Sequence, residues 1–390
     1  MGAAAKPCRR KGVMRKGSVN KSPITLISKQ QNAKEVGDFH PIRLVHSFAK
    51  LFSKILVTRL RRRLADLVSA NQSVFIQGRS MHDNFLLVRQ VARTINSRKQ
   101  KGVFFKLYIS RAFDSLSWPF LFELLRALGF GDIWLKWVAL LLSTTSMKVL
   151  VNGIPGKSIR YVRGLRQGDP TSPQLFVLAI EVLSLLVIRA AEGGLLAGMS
   201  GCRRFQCISV YADDVALFIK PLVHDLVAVR EILKVFSEVS RLRVNYSKSS
   251  TTIIRGDAHD NMTVKHVLGC ELGHFPCKYL RLQPATRQLT KVEWQPMLDQ
   301  VLNFFSCKAA RVIAAVRRLI LIKSVVTTRP VHHLLETEAP TWLLEEVNKW
   351  LRAFFWAGKE KVNGGQCMVA WNNICRPVEF GGLGVKDLEL

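Results

Sequence analysis

The chain is expected to fold as an α+β protein, with a sheet carrying helices on one face. Three observations predict this. Short runs of β-branched and aromatic residues alternate with longer segments of helical period, in the order strand, helix, strand-turn, helix, hairpin, helix, strand. Two of the short runs, Phe205 to Val210 and Val215 to Ile219, flank the polar tip Tyr211-Ala212-Asp213-Asp214 and so read as a tight hairpin. The 390 residues are 48% hydrophobic and 22% charged, enough to bury a large core in two or three subdomains.

Taken in order, residues 1–23 form a basic arm without an acidic residue or apolar period, and the arm is expected to be flexible. Ile24 to Ile27 reads as a strand. Phe39-His40-Pro41-Ile42-Arg43-Leu44 reads as extended, because the residue before a proline avoids the helical region. Ser47 is placed to cap a helix with Leu51, Ile55, Leu56, Leu60, Leu64 and Leu67 at helical spacing. Its other face carries Lys50, Lys54, Arg59, Arg61, Arg62 and Arg63, which suits phosphate contacts or an ordinary solvated face. Gln72 to Arg79 is turn-like, and a helix is expected from about Asp83 to Asn96.

Val103 to Ile109 has strand composition, and Ser110 to Ser115 leaves the sheet. Two apolar helices follow, one through Leu121 to Leu128 and one over Trp134 to Leu142. Lys148 to Val151 and Ile159 to Val162 are expected to pair around Asn152-Gly153. Gly164 to Pro170 is a glycine-bracketed loop, after which Ser172 and Pro173 supply a helix cap and first turn. Beyond the hairpin come a helix through Leu226 to Phe236 and a strand-like Leu242 to Lys248. From Leu268 onward the chain turns helical and basic, with an aromatic-rich helix from Trp342 to Phe354.

The hairpin tip carries the chemistry. Adjacent carboxylates repel, and burying either one unpaired is costly. A divalent cation removes that penalty, and paired Asp residues on a strand turn are what two-metal phosphoryl transfer needs. A solvated hairpin with an acidic turn fits the same four residues. The 58 Lys and Arg against 28 Asp and Glu give a formal charge of +30, which points to a polyanionic partner. Nucleic acid is the first candidate and an anionic membrane surface the second. The eight cysteines include no C-x-x-C pair and read as free thiols. The longest apolar run, Leu175 to Ile188, is interrupted by Glu181 and reads as too short to span a bilayer, so no membrane partner is expected.

Six blocks in order then resemble the reverse transcriptase of plant LINE-type, non-LTR retrotransposons. They are Asp38 to Ile42; Gln72 to Arg79 with Asp83-Asn84-Phe85; Arg111 to Asp114; Gly164 to Pro170 with Ser172-Pro173; Tyr211 to Asp214; and Tyr279-Leu280. The resemblance implies a right-hand polymerase: fingers over 24–102, palm over 103–280, and a thumb with a C-terminal helical segment over 281–390. It implies an RNA template, an RNA–DNA hybrid and deoxynucleoside triphosphates as partners. Asp213 and Asp214 would bind Mg²⁺ (or Mn²⁺). Phe113 would act as a steric gate against the 2′-hydroxyl. Gln167 and Gly168 would lie against template and incoming nucleotide, with Tyr211 and Arg79 beside them. Lys248 would protonate the leaving pyrophosphate. A core Phe and a surface Lys are the plain alternatives for Phe113 and Lys248.

The resemblance breaks at one position. The family has a metal-binding Asp five residues before the gate, and here that residue is Tyr108. A phenol with a pKa near ~10 is a poor ligand for a hard cation at neutral pH. Asp114 lies six residues on, up to ~20 Å away along an extended chain, and is not expected to substitute. Tyr is a good strand residue, so the sheet is expected to survive while metal binding and polymerase activity are weakened. His40, Arg281 and Ser28 also depart from the family pattern. Retained nucleic-acid binding without catalysis is the alternative.

Overall fold

The computed structural model describes residues 21–28, 32, 34–35, 38–43, 45–151, 153–202, 207–280, 282–305, 314–326, 339–359 and 361–385. Most of the basic arm, Asn152, Phe205, Gln206 and Arg281 lie outside them, as does the side chain of His40. The chain divides into two compact units. The first takes residues up to 87 and 94–274, and the second takes 88–93 and 275–390.

The first unit opens with strands β1 (Lys21–Ser28) and β2 (Phe39–Arg43), then helices α1 (Ser47–Leu67) and α2 (Met81–Ser97). Strand β3 (Gly102–Tyr108) leads into a short turn of helix α3 (Ala112–Ser115), then α4 (Trp118–Ala127) and α5 (Asp132–Ser143). Strands β4 (Ser146–Val151), β5 (Ile154–Pro155) and β6 (Ile159–Arg160) precede helix α6 (Ser172–Glu192). The hairpin β7 (Ile208–Tyr211) and β8 (Asp214–Ile219) follows, then α7 (Val223–Ser240), β9 (Ser250–Ile254), α8 (Ala258–Leu268) and β10 (Glu271–Gly273).

Two sheets result. One has the order β10-β9-β3-β8-β7, antiparallel except for β10 on β9. The period-2 alternation of β3 explains its central place. Val103, Phe105 and Leu107 join Val215, Leu217 and Ile219 of β8 in one core with α6 and α7. Phe104, Lys106 and Tyr108 face the other way. The other five-stranded sheet runs β2-β1-β4-β5 with β6 on β4, and β1 pairs with β4 in parallel.

Several boundaries differ from expectation. His46 caps α1 in place of Ser47, its Nδ1 accepting the Phe48 N–H at 3.3 Å. Leu51 and Ile55 point outward, because α1 buries the face of Leu56, Leu60 and Leu64. Ser80 and Asp83 make a reciprocal capping box that starts α2 at Met81. The segment 242–248 is not a strand. It makes an isolated bridge between Ile109 and Val244 and then turns on Asn245, and the strand itself is β9. Strand β4 pairs with β5 and β6, and Val162 lies beyond them. Helix α6 has 21 residues, enough by length and composition to cross a membrane, so the interrupted run was longer than it read. It is nevertheless the core helix of this unit, with its sides buried.

The second unit is built on α9 (Lys291–Phe305), α10 (Ala315–Leu321), α11 (Thr341–Ala357) and α12 (Trp371–Cys375). Trp294, Met297 and Leu298 meet Leu343, Val347, Leu351 and Phe354 in its core. Near the end of the described chain, Gly382 has a steric reason. A Cβ at Gly382 would stand 2.1 Å from the Arg376 carbonyl oxygen.

Candidate active site

Strand register builds the site. Tyr211 pairs with Asp214 across β7 and β8, and Tyr108 pairs with the same Asp214 across β3 and β8. Register partners share a face. Near them is Lys248, whose Nζ sits 5.3 Å from the centroid of the Tyr108 ring. Three expected site residues therefore form one row across the sheet, Tyr211, Asp214 and Tyr108, and the fourth, Lys248, reaches the Tyr108 ring from the turn before β9. Asp213 is exposed at the turn beside them. Tyr108 is fixed by its backbone. Its N–H donates to Ser249 Oγ at 3.0 Å, and its carbonyl accepts from the Asn245 N–H at 2.8 Å. The turn itself is tight, with Ala212 at a φ of 54°, a region that costs a residue with a Cβ.

Burial raises the Asp214 carboxyl above its usual range; Lys106 opposes that shift and Asp213 adds to it. Lys106 is two residues before Tyr108 and shares its face, so a cation already stands near the acidic pair. Among the described residues no group of three or more His, Cys, Asp or Glu side chains is placed to hold a metal ion. Asp114 does not fill the gap, because it binds Arg43 at 3.1 Å. Among the described residues, Asp213 and Asp214 therefore have no third such side chain grouped with them.

A second cluster lies in the glycine-bracketed loop. The Leu165 N–H donates to the Phe113 carbonyl at 2.5 Å and the Gly164 N–H to Leu116 at 2.7 Å, so the loop is laced to the α3 segment. Gly164 is required there. Its φ is 79°, and a Cβ would stand 2.5 Å from the Asp114 carbonyl oxygen. The Phe113 ring, half-buried, stacks on Phe176 with centroids 4.7 Å apart. Gln167 is half-exposed and Gly168 exposed. Asp169 is buried, forms a short ion pair with Arg166, and accepts from Ser53 Oγ at 3.0 Å and the Thr171 N–H at 2.8 Å. Thr171 thus takes the cap position of α6 that Ser172 was expected to hold.

The structure places Arg79 at the end of α1. Its guanidinium donates to the carbonyls of Ser69 (2.5 Å), Gln72 (2.7 Å), Val68 (3.3 Å) and Ala65 (3.4 Å). There it closes carbonyls that a helix end leaves open. Buried Glu181 of α6 accepts the Ser69 N–H at 3.0 Å; burial raises its carboxyl, and Arg79 acts the other way. The buried Asn84 amide donates to the Asn71 carbonyl (2.8 Å), Ser209 Oγ (2.8 Å) and the Val210 carbonyl (3.0 Å). It staples the Gln72 turn to β7, which explains why both blocks occur together.

Two residues were missed from sequence. Lys106 was legible only once the facing of β3 was known. Arg43 is nearly buried, lies 5.1 Å from the Tyr161 ring centroid, and has Nε and Nη1 without a hydrogen-bond partner among the described residues. Its place at the end of β2, three residues after His40, was the available signal. Cys202, Cys207, Cys270, Cys277, Cys367 and Cys375 are free thiols, and burial pushes Cys207 up to about 12.

Residues 27–283 match the reverse transcriptase (RNA-dependent DNA polymerase) family, and the chain belongs to it. It is similar to an uncharacterised 149 kDa protein of transposon TX1 from Xenopus laevis, 25% identical over 383 residues, 94% of this chain and 27% of that one. It is also similar to the retrovirus-related Pol polyprotein of the type-2 retrotransposable element R2DM from Drosophila melanogaster, 28% identical over 247 residues, 63% of this chain and 22% of that one. The chain thus spans about a quarter of the length of these relatives. The fold is similar to a telomerase from Candida Tropicalis solved with a fragment of telomeric RNA, at a TM-score of 0.50 and 12% identity, covering 86% of this chain and 54% of that one. The α+β, right-hand polymerase expectation is met, and the retrotransposon affinity of the sequence is supported by TX1 and R2 relatives.

Proposed function

We propose that the chain is the reverse transcriptase domain of a plant LINE-type, non-LTR element, descended from an enzyme that copied RNA with deoxynucleoside triphosphates and now impaired in catalysis. The observation that carries this is the register of β3 on β8, which sets a neutral phenol directly opposite Asp214. A region of 67 residues that is 46% identical to an Arabidopsis thaliana mitochondrial protein supports the plant affinity. In this reading Asp213 and Asp214 are the remaining metal-binding acids, and the divalent ion, Mg²⁺ or Mn²⁺, is held weakly. Phe113 gates the sugar, Gln167 and Gly168 face template and nucleotide, Tyr211 borders them, and Arg79, bonded to four main-chain carbonyls, acts through the Gln72 turn that it holds. Lys248 is the proton donor to pyrophosphate. Fingers, palm and thumb follow the divisions 24–102, 103–280 and 281–390.

Two cations, Lys106 and Lys248, border the row where the metal ligand is missing. They favour a second reading, nucleic-acid binding without chemistry. Primer extension on an RNA template, with the wild type and Tyr108→Asp, separates the two. Tyr108 is 43% exposed, so the change opens no cavity. The expected result is a gain of about 100-fold or more in the variant, since a metal ion contributes several kcal/mol to transition-state stabilisation. Full extension by the wild type would refute impairment. Binding without extension by either protein would favour the second reading.

A further inference from the structure

A cavity of about 290 Å³ lies between the C-terminal half of α1 and the turn joining α4 to α5. Arg59, Arg63 and Leu67 form one wall, and Phe130, Gly131 and Trp134 form the other. We propose that this cavity binds one nucleotide of a single-stranded nucleic acid, base against the aromatic wall and phosphate against the arginines. The inference rests on the nucleic-acid partner of the preceding section but not on catalysis.

The wall chemistry matches that ligand on both sides. Phe130 and Trp134 pack with centroids 4.5 Å apart, tilted by 33°, which holds both rings in place. Aromatic side chains beside a basic track are how single strands are held without sequence preference. Arg59 lies 5.9 Å from the Trp137 ring centroid, a stacking contact that positions its guanidinium while leaving its N–H groups to bond elsewhere. Arg63 reaches Asp66 at 3.5 Å, and both side chains are largely exposed, so that pair is weak. The volume suits one base with its sugar. A duplex keeps its bases stacked within itself and offers no free face to the pocket. The surrounding charge favours a polyanion, because exposed Arg62, three residues after Arg59, adds a cation on the adjoining side of α1.

The test measures anisotropy of labelled oligouridylate, oligothymidylate and an RNA–DNA hybrid across a range of salt. Two variants of the full chain are compared with wild type: the double change Arg59→Ala, Arg63→Ala, and Gly131→Leu. The second adds bulk at the cavity lining without a clash, because Gly131 has a φ of −69° and no atom lies within 4 Å of its added Cβ position. Both variants are expected to weaken binding of the two single strands by about 10-fold, the loss of one stacked base or two phosphate contacts. The arginine pair is also expected to lower the slope of log K on log salt by about 1.4. Gly131→Leu is expected to leave hybrid binding unchanged. Wild-type affinity for single strands in both variants would overturn the assignment while leaving the hybrid partner intact. An equal loss of hybrid and single-strand binding in Gly131→Leu would overturn it too. Failure of the wild type to bind any of the three probes would overturn both this inference and the nucleic-acid reading.

Discussion

Two acidic clusters sit in the same unit and are treated in opposite ways. Asp169 is buried, and the protein supplies everything a buried carboxylate needs: the Arg166 cation, the Ser53 and Thr171 hydroxyls and a backbone N–H. Asp213 and Asp214 stand at a strand turn with each other, a phenol and nearby lysines. The first cluster is complete without a ligand and holds a loop in shape. The second has no such set of direct partners: burial raises the Asp214 carboxyl, Asp213 adds to that, and Lys106 opposes it from the neighbouring strand. Charge satisfied internally reads as structure, and charge left for a partner reads as function.

The contrast can be broken from either side. Arg166→Met leaves Asp169 buried without its cation and is expected to cost about 3–5 kcal/mol in urea unfolding. Adding Asp169→Asn should restore part of that, since removing both charges is far less costly than removing one. Tyr108→Asp, the converse operation, adds a charge at the incomplete cluster. Its effect belongs to primer extension, where a 100-fold gain corresponds to about 2.7 kcal/mol. Gly164→Ala attacks the lacing between the loop and the α3 segment. Backbone strain and a clash with Asp114 should lower stability by about 2 kcal/mol or more, read as a fall in melting temperature.

Smaller effects sharpen the comparison. Ala212→Gly relieves the positive φ at the hairpin tip and should stabilise by about 1 kcal/mol. Asp214→Asn should stabilise slightly, and only over part of the pH range. The folded carboxyl binds its proton more tightly than the unfolded one, whose ordinary value is 3.8. Wild-type stability therefore declines as pH rises from 3.8 through the raised folded value and is level above it. The Asn variant lacks that decline, so the two proteins should agree below 3.8 and diverge toward neutrality in denaturant titrations at several pH values. Divergence in the other direction would show that Lys106 outweighs burial.

Much of this was legible before any coordinates. The periods of 2 and 3.6 located β3, α6, α7 and α11, because buried faces repeat within a few residues and leave their mark locally. The double-Asp tip and the glycine-bracketed loop announced themselves by turn chemistry. Ends of elements were harder. The cap of α1 moved to His46, because a cap depends on a single hydrogen bond that several neighbouring residues can make, and α6 follows Thr171, which makes no side-chain cap bond. The outward turn of Leu51 and Ile55 was also invisible, since an apolar residue can face water as well as core.

By itself the sequence determined the element order, the acidic pair, the basic excess and the tyrosine at position 108. Each of these is a property of residue identity or short-range spacing. Only the tertiary structure decided that Tyr108 lies opposite Asp214, that Lys248 covers its ring, that Asp114 is held by Arg43, and that Arg79 closes the end of α1. The first three pairings join residues far apart in the chain, and strand register and helix packing set them through the burial of whole faces; the Arg79 contacts are local but depend on how the turn after α1 folds back.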